Sequence, residues 1–473
     1  MKSQLGTELL IPIDRNSDVP LHVQLERQLR TSVRIGRLTA HMLLPSTRSL
    51  AHDLGVSRGV VVEAYEQLTA EGYFTATAGS GTRVAPIGAE ASHAPVAEPA
   101  PSHPCRYDFQ PGSPDPHAFP RRAWLACLRR TIGSAASDVF RYPDPRGAPA
   151  ARAAVAAFLG RSRATVGHAG NVVMCNGFAQ GIDLVARLLK ERGVTDVACE
   201  DPGYGAVPRR LRELGIAAHP IPVDSRGMQI EPLQRSGASA VVVTPAHQYP
   251  TGAGMTADRR AALLAWAAAN DALVIEDDYD SEYRYDREPL GALQGLAPER
   301  VIYIGTASKN LSPALRLGWL MAPQRLVEGF GQLKQRMDGG SPTLEQLAFA
   351  EFLNTGEMER HLRRMRPVYR LRRDLLVAAL HEHLPGLRIG GVAAGLHLML
   401  DLPPGTDERA LLRTAQAHSM RFFCAGDCWS VPRPDRPALV LGYGCCHESS
   451  IRAGVQVLAR LVREHAAALA VPA

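Results

Sequence analysis

Lys309 lies in the stretch TASKNLSPALRLGWL, between hydroxyl residues and seven positions ahead of an arginine. It follows the apolar run VIYIG by a few residues, so its amine is expected to be partly desolvated, and a nearby cation would depress its pKa further. Thr306, Ser308 and Arg316 offer two hydroxyls and a guanidinium, a set suited to a phosphate dianion. A nucleophilic lysine beside a phosphate cup is what a Schiff base with pyridoxal phosphate requires. Taken singly, a lysine is more often an ordinary surface or structural residue.

Two further clusters carry chemistry. In NVVMCNGFAQG a glycine turn opens a helix, and the free amides of Gly177, Phe178 and Ala179 form an anion site. In ALVIEDDYD the carboxylates Asp277, Asp278 and Asp280, with Tyr279 among them, fit a Mg²⁺ site, a solvated loop or a partner for a protonated heterocycle.

These clusters all follow short apolar runs. NVVMC, DVACE, AVVVTP, ALVIEDD and VIYIGTA read as buried strands of a parallel sheet, separated by helical stretches such as FAQGIDLVARLLKERG and ADRRAALLAWAAAN. An α/β fold with a mainly parallel sheet follows, and ligands in such folds sit at the carboxyl ends of strands, where the clusters fall.

Residues 1–85 have a different pattern. PLHVQLERQLRTSVRIG carries Leu21, Leu25, Leu29 and Val33 at helical spacing and ends at Gly36. In LLPSTRSLAHDLGVSRGVVVEAYEQLTAEGYF, Ser46 caps a helix to Leu54, Gly55 suits a left-handed turn, and Ser57 caps a second helix ending near Gly72. That is a helix-turn-helix. Val61, Ala64, Tyr65 and Leu68 share one face of the second helix, leaving Arg58, Gly59, Val62 and Glu66 outward. TATAGSGTRVA then reads as two strands about a Gly-Ser-Gly tip, a wing whose small residues let amides approach phosphates. A small helical protein-interaction module is the alternative reading.

At 473 residues two or more domains are expected. The Pro/Ala-rich segment 86–105 reads as an extended linker between a head, 1–85, and a body, 106–473, whose part from about 355 onward forms a smaller α+β subdomain. The eight cysteines show no metal-ligand spacing and read as reduced structural thiols, so no metal is expected. No run of eighteen apolar residues and no signal peptide is present, so a cytoplasmic protein without a membrane partner is expected. The net charge is +6, yet the head has nine Lys/Arg against eight Asp/Glu, so a nucleic-acid reading rests on pattern, not bulk charge.

The head motifs LPSTRSLA, LGVSR, AYEQLTAEG and GSGT, in that order, resemble the winged-helix head of GntR-family bacterial regulators. The resemblance implies binding to double-stranded operator DNA through Thr47, Arg48, Ser57 and Arg58, with Gly81 and Thr82 at the wing. The body's NGFAQ, EDPGY, TPAHQYPTG, IEDDYDSEY, SKNLSPALRLGW and AAGLHLMLDLP resemble fold-type I aminotransferases, most closely the MocR/GabR-like regulators that join such a body to a GntR head.

By that resemblance Lys309 forms the internal aldimine with pyridoxal 5'-phosphate. Asp277 pairs with the pyridine nitrogen, with Asp278 as the runner-up, and Tyr279 reaches the ring phenolate with His247 or Gln248 nearby. Tyr204 stacks on the ring, while the amides of Phe178 and Ala179 hold the phosphate with Thr306, Ser308 and Arg316. Tyr142 reaches the phosphate of the neighbouring subunit in a head-to-tail homodimer.

Two departures stand out. HQYPTG replaces the NPTG-type motif of ordinary aminotransferases and marks the regulator branch. In PALVLGYG, Val440 occupies the place where amino-acid-binding relatives carry a carboxylate-gripping arginine; Arg436 is the substitute to consider. The expectation is a pyridoxal-phosphate-dependent regulator that senses the cofactor itself or an amino compound, with slow transamination at most. The alternatives are a working aminotransferase with an accessory head and a regulator whose body has lost its cofactor.

Overall fold

Helical spacing in the head gives three helices in the computed structural model of the protein, which describes residues 11–77, 80–86, 105–286, 290–431, 433 and 435–469. The chain divides into two units, Met1–Pro101 and Ser102–Ala473. Nearly all of the expected linker, and Gly79 of the wing tip, lie outside the described residues.

In the first unit α1 (Leu21–Arg34) buries Leu25, Leu29 and Val33 against α3 (Arg58–Ala70), which buries Val61, Ala64, Tyr65 and Leu68. Between them α2 (Thr47–Leu54) starts where the Ser46 side chain accepts the Ser49 N–H at 3.1 Å and stops at Gly55, φ +62°. Ser57 accepts the Val60 N–H at 3.4 Å and so starts α3. Such a cap satisfies an orphan donor and contributes about 1 kcal/mol. The helix ends at Ala70, where Glu71 meets Arg30 at 2.7 Å. β1 (Phe74–Thr77) and β2 (Gly81–Val84) then pair antiparallel as the wing.

The second unit opens with β3 (Tyr107–Asp108), which pairs with β14 (Met420–Arg421) near the chain's end. Its central sheet holds β4 (Val172–Cys175), β5 (Asp196–Asp201), β6 (Ala217–Asp224), β7 (Gly227–Met228), β8 (Ala240–Val243), β9 (Leu273–Asp278), β10 (Val301–Thr306) and β11 (Gly318–Met321). The order is β4-β11-β10-β9-β8-β5-β6-β7, with β10, β9, β8, β5 and β6 parallel and β11 antiparallel to both neighbours. Every residue of β4, β8, β9 and β10 is buried, because helices cover both faces. Each fully buried aliphatic side chain there contributes about 1.5–3 kcal/mol.

A smaller antiparallel sheet follows, ordered β12 (Ile389–Gly390), β13 (His397–Asp401), β16 (Ala438–Gly442), β15 (Phe423–Cys424). The helices Glu357–His383 and Glu448–Leu469 share its core through Leu376, Leu380 and Leu458. Among the described residues no helix is long and apolar enough to cross a membrane.

Candidate functional site

At the carboxyl ends of β9 and β10 a cavity of about 440 Å³ opens, and the helix Phe178–Glu191 presents its first turn to it. Lys309, Asp277, Tyr279, Thr306, Ser308, Arg316, Phe178, Ala179 and Tyr204 all line it. These nine were expected in the sequence to act together.

The Lys309 amine makes no hydrogen bond among the described residues, and burial holds it below the usual lysine range, opposed by Asp280 and Asp277, which favour the charge. It is therefore nucleophilic at lower pH than a free lysine. Asp277 is 7% exposed and likewise has no hydrogen-bond partner among the described residues. Burial, with Asp278 beside it, pushes its carboxyl well above the usual range, against the pull of Lys309. Tyr279 donates from Oη to the His247 carbonyl at 2.8 Å, which fixes the phenol next to the cavity.

The opposite end is an anion cup. First-turn N–H groups at Phe178 and Ala179 have no acceptor within their own helix. Gly177 precedes them at φ +84°, and a Cβ there would lie 3.5 Å from the Arg316 guanidinium. Arg316 is held by donating to the Asn176 carbonyl at 2.7 Å, and Thr306 Oγ1 accepts the Ser308 N–H at 3.1 Å. An unpaired carboxyl for a pyridinium, an amine for an aldehyde and a cup for a phosphate together fit pyridoxal phosphate.

Other expectations are corrected. Asp278 faces away, bound to Arg163 and to Tyr303 Oη, each at 2.7 Å, so it cannot serve the ring. His247 and Gln248 are not in the cavity wall. His247 Nδ1 sits 3.1 Å from Asp280, and Gln248 is spent on Thr251 in its own turn and on the Pro202 carbonyl and Glu200 from a distant segment. Tyr142, expected to serve a neighbouring subunit, is 99% exposed and lies outside the cavity wall of its own chain, and that expectation is not overturned. Val440 is buried beside Ala425, Ala438, Tyr249 and Met399. Arg436 is exposed, 3.8 Å from Asp435, on a separate cavity with Arg388 and Asp401, so it does not replace the missing arginine.

Gln110, Gly112, Ser113, Tyr249, His397 and Phe423 also line the cavity and were not singled out in the sequence. The Pro-Gly pair at 111–112 and the histidine in GLHLMLD were the available signals. His397, His247 and Asp280, all buried, bring donor atoms within 4.8 Å of one another.

In the head, Arg48, Arg58 and Gly81 are exposed and Thr47 and Thr82 half-buried; Arg58 Nε points to Thr47 Oγ1 at 3.5 Å. Ser57 is spent as the cap of α3, which places Arg58 at that helix's exposed start.

Residues 21–84 match the family of bacterial regulatory proteins, gntR family, and residues 115–421 match aminotransferase class I and II. The chain is 35% identical to a probable rhizopine catabolism regulatory protein, MocR, of Rhizobium meliloti, over 95% of each chain. It is 32% identical to the pyridoxine biosynthesis transcriptional regulator PdxR of Corynebacterium glutamicum, over 93% of this chain and 96% of the other. Among solved structures it is similar to an α-aminoadipate aminotransferase, LysN, from Thermus thermophilus complexed with N-(5'-phosphopyridoxyl)-L-leucine. The TM-score is 0.70 at 26% identity, covering 76% of this chain and 93% of that one.

Proposed function

The chain belongs to the gntR-family bacterial regulatory proteins that carry an aminotransferase class I and II body, and on that premise we propose how cofactor and DNA binding are joined in it. It is a transcription regulator that binds operator DNA through its head and pyridoxal 5'-phosphate through its body. One observation carries the reading: the free Lys309 amine and the unpartnered Asp277 carboxyl line one cavity with an anion cup.

When bound, the cofactor supplies a carbonyl that captures amines and a ring that withdraws electrons. Lys309 offers its amine to that carbonyl, and Asp277 keeps a proton on the ring nitrogen. Tyr279 turns its O–H from the His247 carbonyl toward the ring oxygen, and Tyr204 covers one ring face. Arg316, Thr306, Ser308 and the amides of Phe178 and Ala179 hold the phosphate. Tyr142, fully exposed on its own chain, serves the partner's site in a head-to-tail homodimer. Arg48 and Arg58 meet phosphates or base edges, Thr47 and Thr82 support them, and Gly81 lets the wing backbone come close. The cofactor, or an amino compound, shifts the body between states that differ in operator affinity.

Spectra of the purified protein with and without pyridoxal phosphate test the site: a visible band that Lys309→Ala lacks is expected, and its absence from wild type would refute the assignment. A gel shift on the protein's own upstream DNA, competed with random DNA, tests the head. Rapid turnover of an amino donor with a keto acid, without selective DNA binding, would favour an aminotransferase instead.

A further inference from the structure

Once Lys309 and Arg316 are given to the cofactor, the rest of the cavity wall holds no other Lys or Arg among the described residues. That remainder includes Gln110, Ser113, Tyr249, His397 and Phe423, with Tyr204 at its border. Arg421 stands in an outer cavity that shares Gln110, Tyr204, Tyr249 and Phe423, but it is bound to Asp108 at 2.5 Å. The carboxyl groups facing the Lys309 amine are those of Asp280 and of Asp277, the latter held toward its neutral form by burial or met by the cofactor ring. A ligand bringing a carboxylate into this end would find no cation in the described wall to pair with, which is a device for rejection.

Of the polar residues in that wall, His397 is the one whose buried polar atoms lack a partner among the described residues. It is 2% exposed, and neither of its ring nitrogens makes a hydrogen bond of good geometry. Burial, with His247 beside it, holds the ring well below the usual imidazole range, the Pro250 carbonyl pulling the other way, so it presents one N–H and one lone pair. Buried polar groups are rarely left unmet, and a residue on a cavity wall can be met by what the cavity holds.

Behind it the His247 ring lies 4.6 Å away, centroid to centroid, with Nδ1 on Asp280 and Nε2 also unmet. Gly395 makes this packing possible, because a Cβ there would collide with both His247 Nδ1 and Asp280 Oδ2. Asp280 and His247 are thus positioning residues for the His397 ring.

We infer that the effector site selects an amine whose other end is uncharged and hydrogen-bonding, read by His397, and rejects the same amine carrying a carboxylate. The inference rests on the reading of Lys309 as the residue that meets the cofactor. It concerns recognition of the ligand's far end.

Full-chain protein loaded with pyridoxal phosphate is titrated with 2-aminoethanol, L-serine and ethylamine. Two readouts are followed, the absorbance band that Lys309→Ala lacks and the mobility of upstream DNA. Half-maximal change is expected at a concentration about tenfold lower for 2-aminoethanol than for serine or ethylamine, a modest difference in binding free energy. His397→Phe is expected to bring 2-aminoethanol and ethylamine together, and His397→Gln, which keeps a donor and an acceptor, to retain part of the preference. An intact band with serine acting at an equal or lower concentration overturns the inference alone, as does a band that no amine perturbs. A wild-type protein without the band overturns the cofactor reading as well.

Discussion

Asp277 and Asp278, consecutive at the end of β9, face opposite sides of the sheet: Asp277 looks into the cavity without a partner, while Asp278 is locked to Arg163 at 2.7 Å. Strand alternation has separated a ligand group from a structural one. Asp278→Asn leaves the buried Arg163 charge uncompensated and is expected to cost about 3–5 kcal/mol of stability, read by urea unfolding. A cost under about 1 kcal/mol would mean that the pair is not the anchor of this strand end.

Asp277→Asn is expected to do the reverse in the cofactor-free protein. Burial raises the Asp277 carboxyl well above 3.8, so the folded state holds that proton more tightly than the unfolded chain does. The group therefore costs nothing below the ordinary carboxyl value and destabilises increasingly as pH rises from there toward its raised value. The variant should be more stable than wild type at neutral pH, with the advantage fading toward pH 4. It should also lose most of the thermal stabilisation that added pyridoxal phosphate gives. A variant equally stabilised by the cofactor would show that Asp277 does not meet the ring.

Arg58 occupies the first turn of α3 with its guanidinium exposed, and Arg48 is exposed on α2. Arg58→Ala is expected to weaken operator binding by about 1–3 kcal/mol if it reads a base edge, with relaxed sequence preference. Arg48→Ala should weaken all DNA alike and lower the salt slope by about one if it meets a phosphate. Fluorescence anisotropy across a salt series separates the two, and neither variant should change the Lys309-dependent absorbance.

The sheet was legible where both its faces are covered, since β4, β8 and β10 then appear as apolar runs, and β5 and β9 as short apolar runs beside acidic residues. β6 was not, because it lies toward the sheet's edge, is half-exposed, and carries Pro220 and Pro222. The antiparallel β11 was hidden behind the Arg316 turn. The same logic governs the site. Asp277 lies at the end of its strand, and Lys309 and Phe178 follow theirs within three residues, so local sequence places all three at the strands' carboxyl ends. Gly112, His397 and Phe423 reach the cavity only through the packing of distant segments, which no local pattern encodes. The directions of His247 and Gln248 depend on hydrogen bonds, to Asp280 for the first and to Tyr249 and Thr251 for the second, that compete with the ligand for their side chains.

Gly112 gives the sharpest test of that distant packing. Its φ is +68°, and a Cβ on it would lie 3.0 Å from Lys309 Nζ. Gly112→Ala should therefore cost about 1 kcal/mol or more through left-handed strain alone. The added methyl also crowds the amine, so Lys309 must turn from its present direction or the 110–113 segment must retreat. Cofactor capture should fall at least about tenfold, a loss larger than the change in stability explains. Stopped-flow absorbance on mixing the variant with pyridoxal phosphate, beside its urea midpoint, measures both. Unchanged capture kinetics would mean that Lys309 reaches the cofactor from another rotamer, and that the 110–113 segment encloses the cavity without aiming its lysine.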